Sequence, residues 1–322
     1  MLNIAMLSRW HVHADGYAND FRRTGKANIV AVWDEDPVLG AKWAEKLGVE
    51  FVADLDTLLA RKDIDAVCCC TPTTMHKDVL IKAANAGKHI FSEKAMATTV
   101  EDCLAIEEAI QKNNVKFMLS LPHKSRPDVQ FIKKAIDNGD FGDVTLVRVR
   151  NAHNGLSANW LPGYWYDETT AGGGAMMDLG CHGMYLLSMF LGKPKNYAAV
   201  YSAPFGKPVD ENAAALIEFE NGATGISETS FISYGSPYMI EVHGTKGVLL
   251  SVDGEVKFRN FKTEEYQNGF ISPKLPAPGP YPLDRFVDVC LNNEPVPEEF
   301  GTKVGIELTR LLEETYKVNA AK

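Results

Sequence analysis

The chain has 322 residues, more than one ordinary hydrophobic core supports, so two domains are expected. Hydrophobic residues make up 45% and charged residues 23%, which excludes a disordered, collagenous or disulfide-scaffold protein. Lys+Arg 33 against Asp+Glu 42 gives a net charge of -9, so neither nucleic acid nor an anionic membrane is an expected partner.

No stretch approaches the ~18 uninterrupted apolar residues that span a bilayer. The N-terminus enters an apolar run directly, without a basic leader or small-residue cleavage site, so no signal peptide is expected. Three of the six cysteines, Cys68, Cys69 and Cys70, are consecutive inside a strand-like run. With no Cys-x-x-Cys pair they read as buried reduced thiols, and the expected location is cytoplasmic.

The first 122 residues alternate short apolar runs with helix-period segments. Strands are expected over 2–7, 29–33, 65–71, 88–92 and 116–120, and helices over 13–24, 37–47, 75–86 and 101–113. Gly25 is the expected stop of the first helix, and Pro37 sits at a tolerated first-turn position of the second. Strand–helix repetition with fully apolar strands predicts an α/β domain, a doubly wound parallel sheet of the nucleotide-binding kind.

After Pro122 the texture changes, so a second, α+β domain is expected over 123–322. Helices over 127–138 and 175–191 flank strand-like runs at 144–151, 196–203, 213–219, 225–231, 239–242, 247–252 and 256–261. Asn221-Gly222 supplies the positive φ of a hairpin between two of them. The segment 273–282 holds five prolines and reads as a surface excursion, and 302–317 as a closing amphipathic helix.

Four segments carry chemistry. Asp34, ending the second strand, stands where a doubly wound fold places the acid that accepts both ribose hydroxyls of a dinucleotide, which favours NAD over NADP. It reads equally as a helix cap before Pro37. Where a G-x-G-x-x-G turn would cradle the diphosphate, the chain has Ser8-Arg9-Trp10-His11-Val12-His13, and side chains obstruct the approach that glycines permit. Ser8 and Arg9 compensate in part with a hydroxyl and a charge. His11-x-His13 also suggests a metal, but two histidines on one loop lack further ligands, so no metal is expected.

Glu93-Lys94 follows a buried strand at the carboxyl edge, where parallel sheets form their binding crevice. A lysine there, desolvated beside a cationic nicotinamide, has a lowered pKa suited to acid–base work; the alternative is a solvated pair in a loop. In the run Gly172 to Gly183, Asp178 and His182 lie four apart on one helical face. Gly180 and Gly183 there imply that something approaches the helix closely, and an Asp supporting a His suits a general acid/base.

Together these residues resemble the glucose–fructose oxidoreductase/inositol dehydrogenase (Gfo/Idh/MocA) family. The likeness rests on Thr71-Pro72 after a strand, Glu93-Lys94 in place of the family's Glu-Lys-Pro, and Gly173-Gly174 followed by Asp178-x-Gly180-x-His182. It implies an N-terminal Rossmann domain and a C-terminal α+β domain whose large open, mostly antiparallel sheet mediates homo-oligomerisation as dimer or tetramer. Lys94 then resembles the catalytic lysine, and Asp178 and His182 the pair that binds substrate and transfers its proton. Thr71, Pro72 and Glu93 resemble residues lining the nicotinamide half of the site, and His76 is placed with them. The non-glycine turn, Ala95 in place of proline, and Lys124 where many relatives have arginine are departures.

The expected activity is NAD-dependent hydride transfer from a carbinol of a sugar, cyclitol or related polyhydroxy compound. His123, Lys124, Asn154, Trp160 and Trp165, with Asp178 and His182, are the expected substrate residues, because aromatic faces beside polar groups suit a sugar; packing aromatics explain the same pattern. The rival expectations are glycoside cleavage through transient oxidation and a redox-inactive ligand-binding relative.

Overall fold

The computed structural model describes residues 1–262 and 264–320. The chain divides into two compact units, one of Met1–Leu121 with Pro280–Thr309 and the other of Pro122–Gly279 with Arg310–Lys322. The sequence division at 122/123 did not include the return of 280–309 to the first unit.

The first unit runs β1 (Leu2–Leu7), α1 (Ala14–Arg23), β2 (Ala27–Trp33), α2 (Pro37–Leu47), β3 (Glu50–Phe51), α3 (Leu55–Ala60), β4 (Ala66–Cys69), α4 (His76–Asn85), β5 (His89–Ser92), α5 (Val100–Asn113) and β6 (Phe117–Leu119). Among the described residues these strands form one six-stranded sheet in the order β3-β2-β1-β4-β5-β6. Every pairing in it is parallel. That is the doubly wound order, and its switch point lies between β1 and β4. Residues of β1 and β4 are almost wholly buried, as strands covered on both faces must be. Cys68, Cys69 and Cys70 lie in this core as free thiols, and burial pushes the Cys69 thiol up to about 12.

The second unit contains α6 (Pro127–Asp137), β7 (Val144–Ala152), α7 (Glu168–Ala171), α8 (Cys181–Leu191), β8 (Pro194–Ser202), β9 (Asn212–Phe219), β10 (Thr224–Ser230), β11 (Met239–Gly244), β12 (Gly247–Val252), β13 (Glu255–Asn260) and α9 (Glu264–Gln267). The strands form a seven-stranded sheet, among the described residues, in the order β13-β12-β11-β7-β10-β9-β8. β10 and β7 pair parallel and the remaining pairs are antiparallel. Alternation along β9 puts Ala213, Ala215, Ile217 and Phe219 inward, as a sheet with one covered face requires.

Two further helices follow, α10 (Pro282–Leu291) and α11 (Thr302–Ala320). α10 was not expected from the sequence, because it begins inside the proline-rich segment. Its Leu283, Phe286, Val287 and Val289 are buried, and Phe286 packs on Phe91 of β5 with ring centroids 5.6 Å apart. Among the described residues no helix is long and apolar enough to cross a membrane.

The glycine-rich run differs most from expectation. Met176–Gly180 is a π-turn that precedes α8, rather than part of one continuous α-helix. Sheet side chains explain it: Thr229 donates to the Ala175 carbonyl (3.2 Å), Asn151 to that of Leu179 (3.2 Å) and Ser227 to that of Gly180 (3.0 Å). Carbonyls captured this way leave the regular helical ladder. The close approach implied by Gly180 and Gly183 is therefore by protein groups. A Cβ on Gly183 would lie 2.4 Å from Ser227 Oγ, and one on Gly180 would lie 2.2 Å from Met176 Sδ.

Gly174 is the tightest of these positions, since an added Cβ would meet the Asp210 carbonyl oxygen at 2.0 Å. Gly174→Ala should lower unfolding free energy by about 1–3 kcal/mol, as overpacking against backbone does. Gly16, in α1 with nothing within 4 Å of such a Cβ, is the control. Gly16→Ala should be neutral or stabilising by up to about 1 kcal/mol. Urea unfolding of both variants checks the pair.

Candidate functional site

In the first unit the groups of interest gather where β1, β2, β4 and β5 end. Ser8 is buried with φ +69°, the left-handed conformation that a glycine would otherwise supply at the tight turn after β1. The turn's amides point inward. Ser8 N–H donates to the Trp33 carbonyl (2.7 Å), Arg9 N–H to Asp34 Oδ2 (2.8 Å) and Trp10 N–H to Ser8 Oγ (3.0 Å). His11 N–H donates to the Cys70 carbonyl (3.1 Å) and His13 N–H to His11 Nδ1 (3.2 Å). A diphosphate cradle turns such amides toward its ligand, and here they tie the turn to β2 and β4. Val12 is exposed, and the Arg9 guanidinium bonds Asp15 at 2.8 Å.

Asp34 is only 4% exposed, and its other oxygen accepts Asp36 N–H at 2.9 Å. It does not cap α2. Asp36 does, accepting Val38 and Leu39 N–H. Burial raises the Asp34 carboxyl, against the hydrogen bonds from the Asp36 and Arg9 amides. A cavity of about 550 Å³ lies beside the end of β2, lined by Trp33, Asp54, Leu55, Met75 and Lys82 among others. A nicotinamide dinucleotide fits this unit through the strand order, Asp34 and this cavity, while the turn departs from the usual cradle.

Thr71 and Pro72 are buried after β4. His76 is fully buried, with Nδ1 2.8 Å from the Ala95 carbonyl and Nε2 3.2 Å from that of Thr71. It braces the loops after β4 and β5 from within and presents no surface to a ligand, contrary to its expected place among the cofactor contacts. Burial lowers its pKa, against the hydrogen bonds to the Ala95 and Thr71 carbonyls that raise it. The Lys94–Ala95 peptide is cis, and Lys94 is buried.

Glu93 is the most constrained group. Its carboxylate, 1% exposed, accepts the Tyr17 hydroxyl and the Lys94 N–H (3.0 Å), and it lies 2.8 Å from His13 Nδ1 and 3.4 Å from His11 Nδ1. Burial works to raise its pKa, but the His11 and His13 charges, the His13 hydrogen bond and Lys94 hold it far below the ordinary value. Tyr17 shifts the other way, well up, through burial and the Glu93 charge, so it stays a donor to Glu93 and accepts from Ser120 (2.6 Å). Sequence reasoning missed Tyr17; its signal was the i, i+4 spacing from His13.

In the second unit His182 is buried on α8, with Nδ1 2.9 Å from Tyr185 Oη and its ring stacked on His123 at 4.1 Å. Tyr185 Oη also accepts His123 N–H (3.2 Å), and Lys124 Nζ lies 6.0 Å from the Tyr185 ring centroid. His123 Nδ1 is 3.1 Å from the Tyr238 hydroxyl. The Arg126 guanidinium lies 4.2 Å from the Tyr238 ring centroid and donates to Asp128 at 3.0 Å. Tyr185, Tyr238 and Arg126 were missed. The readable signal was Tyr185 three residues after His182, a phenol on an otherwise apolar helix.

Asp178 is half-buried in the π-turn, where its charge opposes the burial that lowers the His153 pKa. His153 stacks on Phe231 (5.3 Å) and faces Trp160 (4.6 Å), whose Nε1–H reaches Asn154 Oδ1 at 3.4 Å. Trp160 is 55% exposed and presents a ring to solvent. Trp165, expected beside it, is buried with Tyr166, the packing outcome rather than the sugar-facing one.

Residues 11–121 match the model of an oxidoreductase family with an NAD-binding Rossmann fold, and residues 129–250 match the GFO/IDH/MocA C-terminal domain. The chain is 27% identical over 274 residues to levoglucosan dehydrogenase of Pseudarthrobacter phenanthrenivorans, covering 76% of this chain and 68% of that one. It is 29% identical over 230 residues to inositol 2-dehydrogenase of Rhizobium meliloti, covering 69% and 67%. A solved levoglucosan dehydrogenase in complex with NADH and levoglucosan has the same fold, with TM-score 0.86 at 21% identity over 99% of this chain and 97% of that one.

Asp128 anchors the stack beneath His182. Burial works to raise its carboxyl, but Arg126 and the Ser251 hydroxyl outweigh that and hold it below the ordinary value. A lowered folded-state pKa adds stability that is complete above the unfolded carboxylate range and vanishes as pH falls through the folded value. Asp128→Asn should therefore cost about 2 kcal/mol or more at neutral pH. The deficit should shrink as pH falls below the ordinary aspartate value. Denaturant unfolding across that range is the check; a deficit that stays constant would show that no charge is held there.

Proposed function

The chain belongs to the GFO/IDH/MocA family of oxidoreductases, with an NAD-binding Rossmann domain, and on that premise we propose that it is an NAD-dependent dehydrogenase of polyhydroxy compounds. The substrate class is a carbinol of a sugar, cyclitol or anhydrosugar, the class named by levoglucosan and inositol dehydrogenases among its relatives. The observation that carries the reading is a buried imidazole, His182, whose Nδ1 is engaged by Tyr185 Oη. That phenol oxygen also accepts His123 N–H, and the proposal has it take His182 Nδ1–H as well. His182 Nε2 is then left unprotonated to receive a hydroxyl proton.

NAD, when bound, supplies the hydride acceptor. In this proposal Asp34 receives the ribose hydroxyls and disfavours a 2′-phosphate, while Thr71, Pro72 and Glu93 hold the nicotinamide half. Lys94 polarises the substrate oxygen as an ammonium, and Asp178 binds the substrate. Trp160 and Asn154 offer a flat apolar face beside an amide, which suits a sugar ring. His182 would take the hydroxyl proton of the carbinol, and the bound cofactor would supply the hydride acceptor for its oxidation to a carbonyl. We further propose a cytoplasmic homo-oligomer assembled through the seven-stranded sheet, whose outer face carries exposed Val200 and Leu216 and the Arg148–Glu228–Arg150 ion pairs.

The inward-facing amides of the Ser8–His13 turn favour one rival, a redox-inactive ligand-binding relative. Titration with NAD and NADP, followed by tryptophan fluorescence, separates the two, since Trp10 lies in that turn. NAD is expected to bind and NADP to bind more weakly; binding of neither would favour the rival. With NAD and a panel of inositols and anhydrosugars, Lys94→Ala should lower turnover by about 100-fold or more while retaining NAD affinity. Unchanged turnover in that variant would remove Lys94 from the mechanism.

A further inference from the structure

We propose that His11, His13 and Glu93 form a binding site for one first-row divalent transition-metal ion. The two histidines alone lacked a third ligand in the sequence, and the fold supplies it from β5. One ligand atom from each of the three residues lies within 4.8 Å of the others. His11 Nδ1 and His13 Nδ1 approach the same carboxylate oxygen, Oε1, at 3.4 and 2.8 Å.

Ligand atoms about 2.0–2.1 Å from a tetrahedral ion sit roughly 3.3 Å from one another. The His11–Glu93 separation already has that value. The His13–Glu93 separation is about half an ångström short, and His13 is the group free to yield, because its side chain is 48% exposed while Glu93 and His11 are buried.

The chemistry of the trio points the same way. His11 Nδ1 accepts His13 N–H at 3.2 Å and lies 3.4 Å from a carboxylate oxygen of Glu93. Around the carboxylate is the support that ligating groups have: Tyr17 donates to Oε1, Lys94 N–H to Oε2 at 3.0 Å, and Ser120 bonds Tyr17 at 2.6 Å.

Two imidazoles and one carboxylate suit zinc, iron, cobalt or nickel better than magnesium or calcium, which prefer all-oxygen sites. Three protein ligands leave a coordination position open, and the exposed His13 edge is where a water or ligand atom reaches it. The positive end of α1 works against a cation here, and the buried Glu93 charge opposes it. The site shares Glu93 with the proposed cofactor contacts, yet its test reads metal binding alone and so holds equally for a redox-inactive chain.

The test uses the full-length, untagged protein stripped of metal with a chelator and titrated with Co²⁺ alone, while calorimetry follows Zn²⁺. One Co²⁺ per chain is expected, with the visible bands of a four- or five-coordinate ion. His13→Ala, at a half-exposed position and read where circular dichroism shows it folded, should weaken binding by at least about tenfold and abolish those bands. His243→Ala, at an exposed position on β11, should change nothing. Glu93→Gln is the second variant, read only where circular dichroism shows it folded. Absence of stoichiometric binding, or binding that His13→Ala and His11→Ala leave unaltered, overturns the proposal.

Discussion

A carboxylate buried without compensation costs several kcal/mol, so everything around Glu93 has to answer that charge. The answer comes from four segments of the first unit: the turn after β1, α1 through Tyr17, the chain leaving β5 and Ser120 just beyond β6. One anion therefore fixes the carboxyl ends of several parallel strands together. This is also where a doubly wound sheet forms its ligand crevice. Lys94 follows Glu93 directly, and its backbone is held by its neighbour's side chain.

The second unit meets the same problem with a stack. Asp128 holds Arg126, Arg126 lies on Tyr238, Tyr238 reaches His123, and His123 lies flat on His182. Each contact is modest, but together they leave the imidazole little freedom about its ring axis. Asp210 has a parallel task, since its carboxylate accepts Gly174 N–H, Met176 N–H and the Tyr316 hydroxyl. It thereby fixes the entry to the π-turn that carries Asp178.

Periodicity made the sheets readable: apolar strands without alternation announced the parallel sheet, and alternating ones the open sheet. The π-turn was not readable, because it arises from Asn151, Ser227 and Thr229, which lie 25 or more residues from the carbonyls they capture. Gly180 and Gly183 were recognised as close-approach positions, yet the sequence could not say that the approaching groups are Met176 of the turn itself and Ser227 of the sheet. α10 was hidden because its proline-rich start reads as a loop, and its apolar face shows only once packed, with Phe286 on Phe91 among its contacts. In the candidate site, Lys94, His182 and Asp34 stood out by position. The phenols of Tyr17, Tyr185 and Tyr238 did not, since a tyrosine in an apolar segment looks like core until its hydroxyl finds a partner.

The turn after β1 shows what such anchoring does for binding. In a glycine-rich turn the backbone is free to wrap a phosphate, and the ligand supplies much of the order. Here Ser8 adopts the left-handed conformation with its side chain bonded to Trp10 N–H, and Asp34 grips Arg9 N–H. Order is already present before any ligand arrives, which reduces the entropy lost on binding. The cost is that those amides are spoken for, so attraction for a diphosphate has to come from elsewhere. In the proposed reading, recognition of the dinucleotide then shifts from the phosphates toward the ribose, at Asp34, and the nicotinamide end.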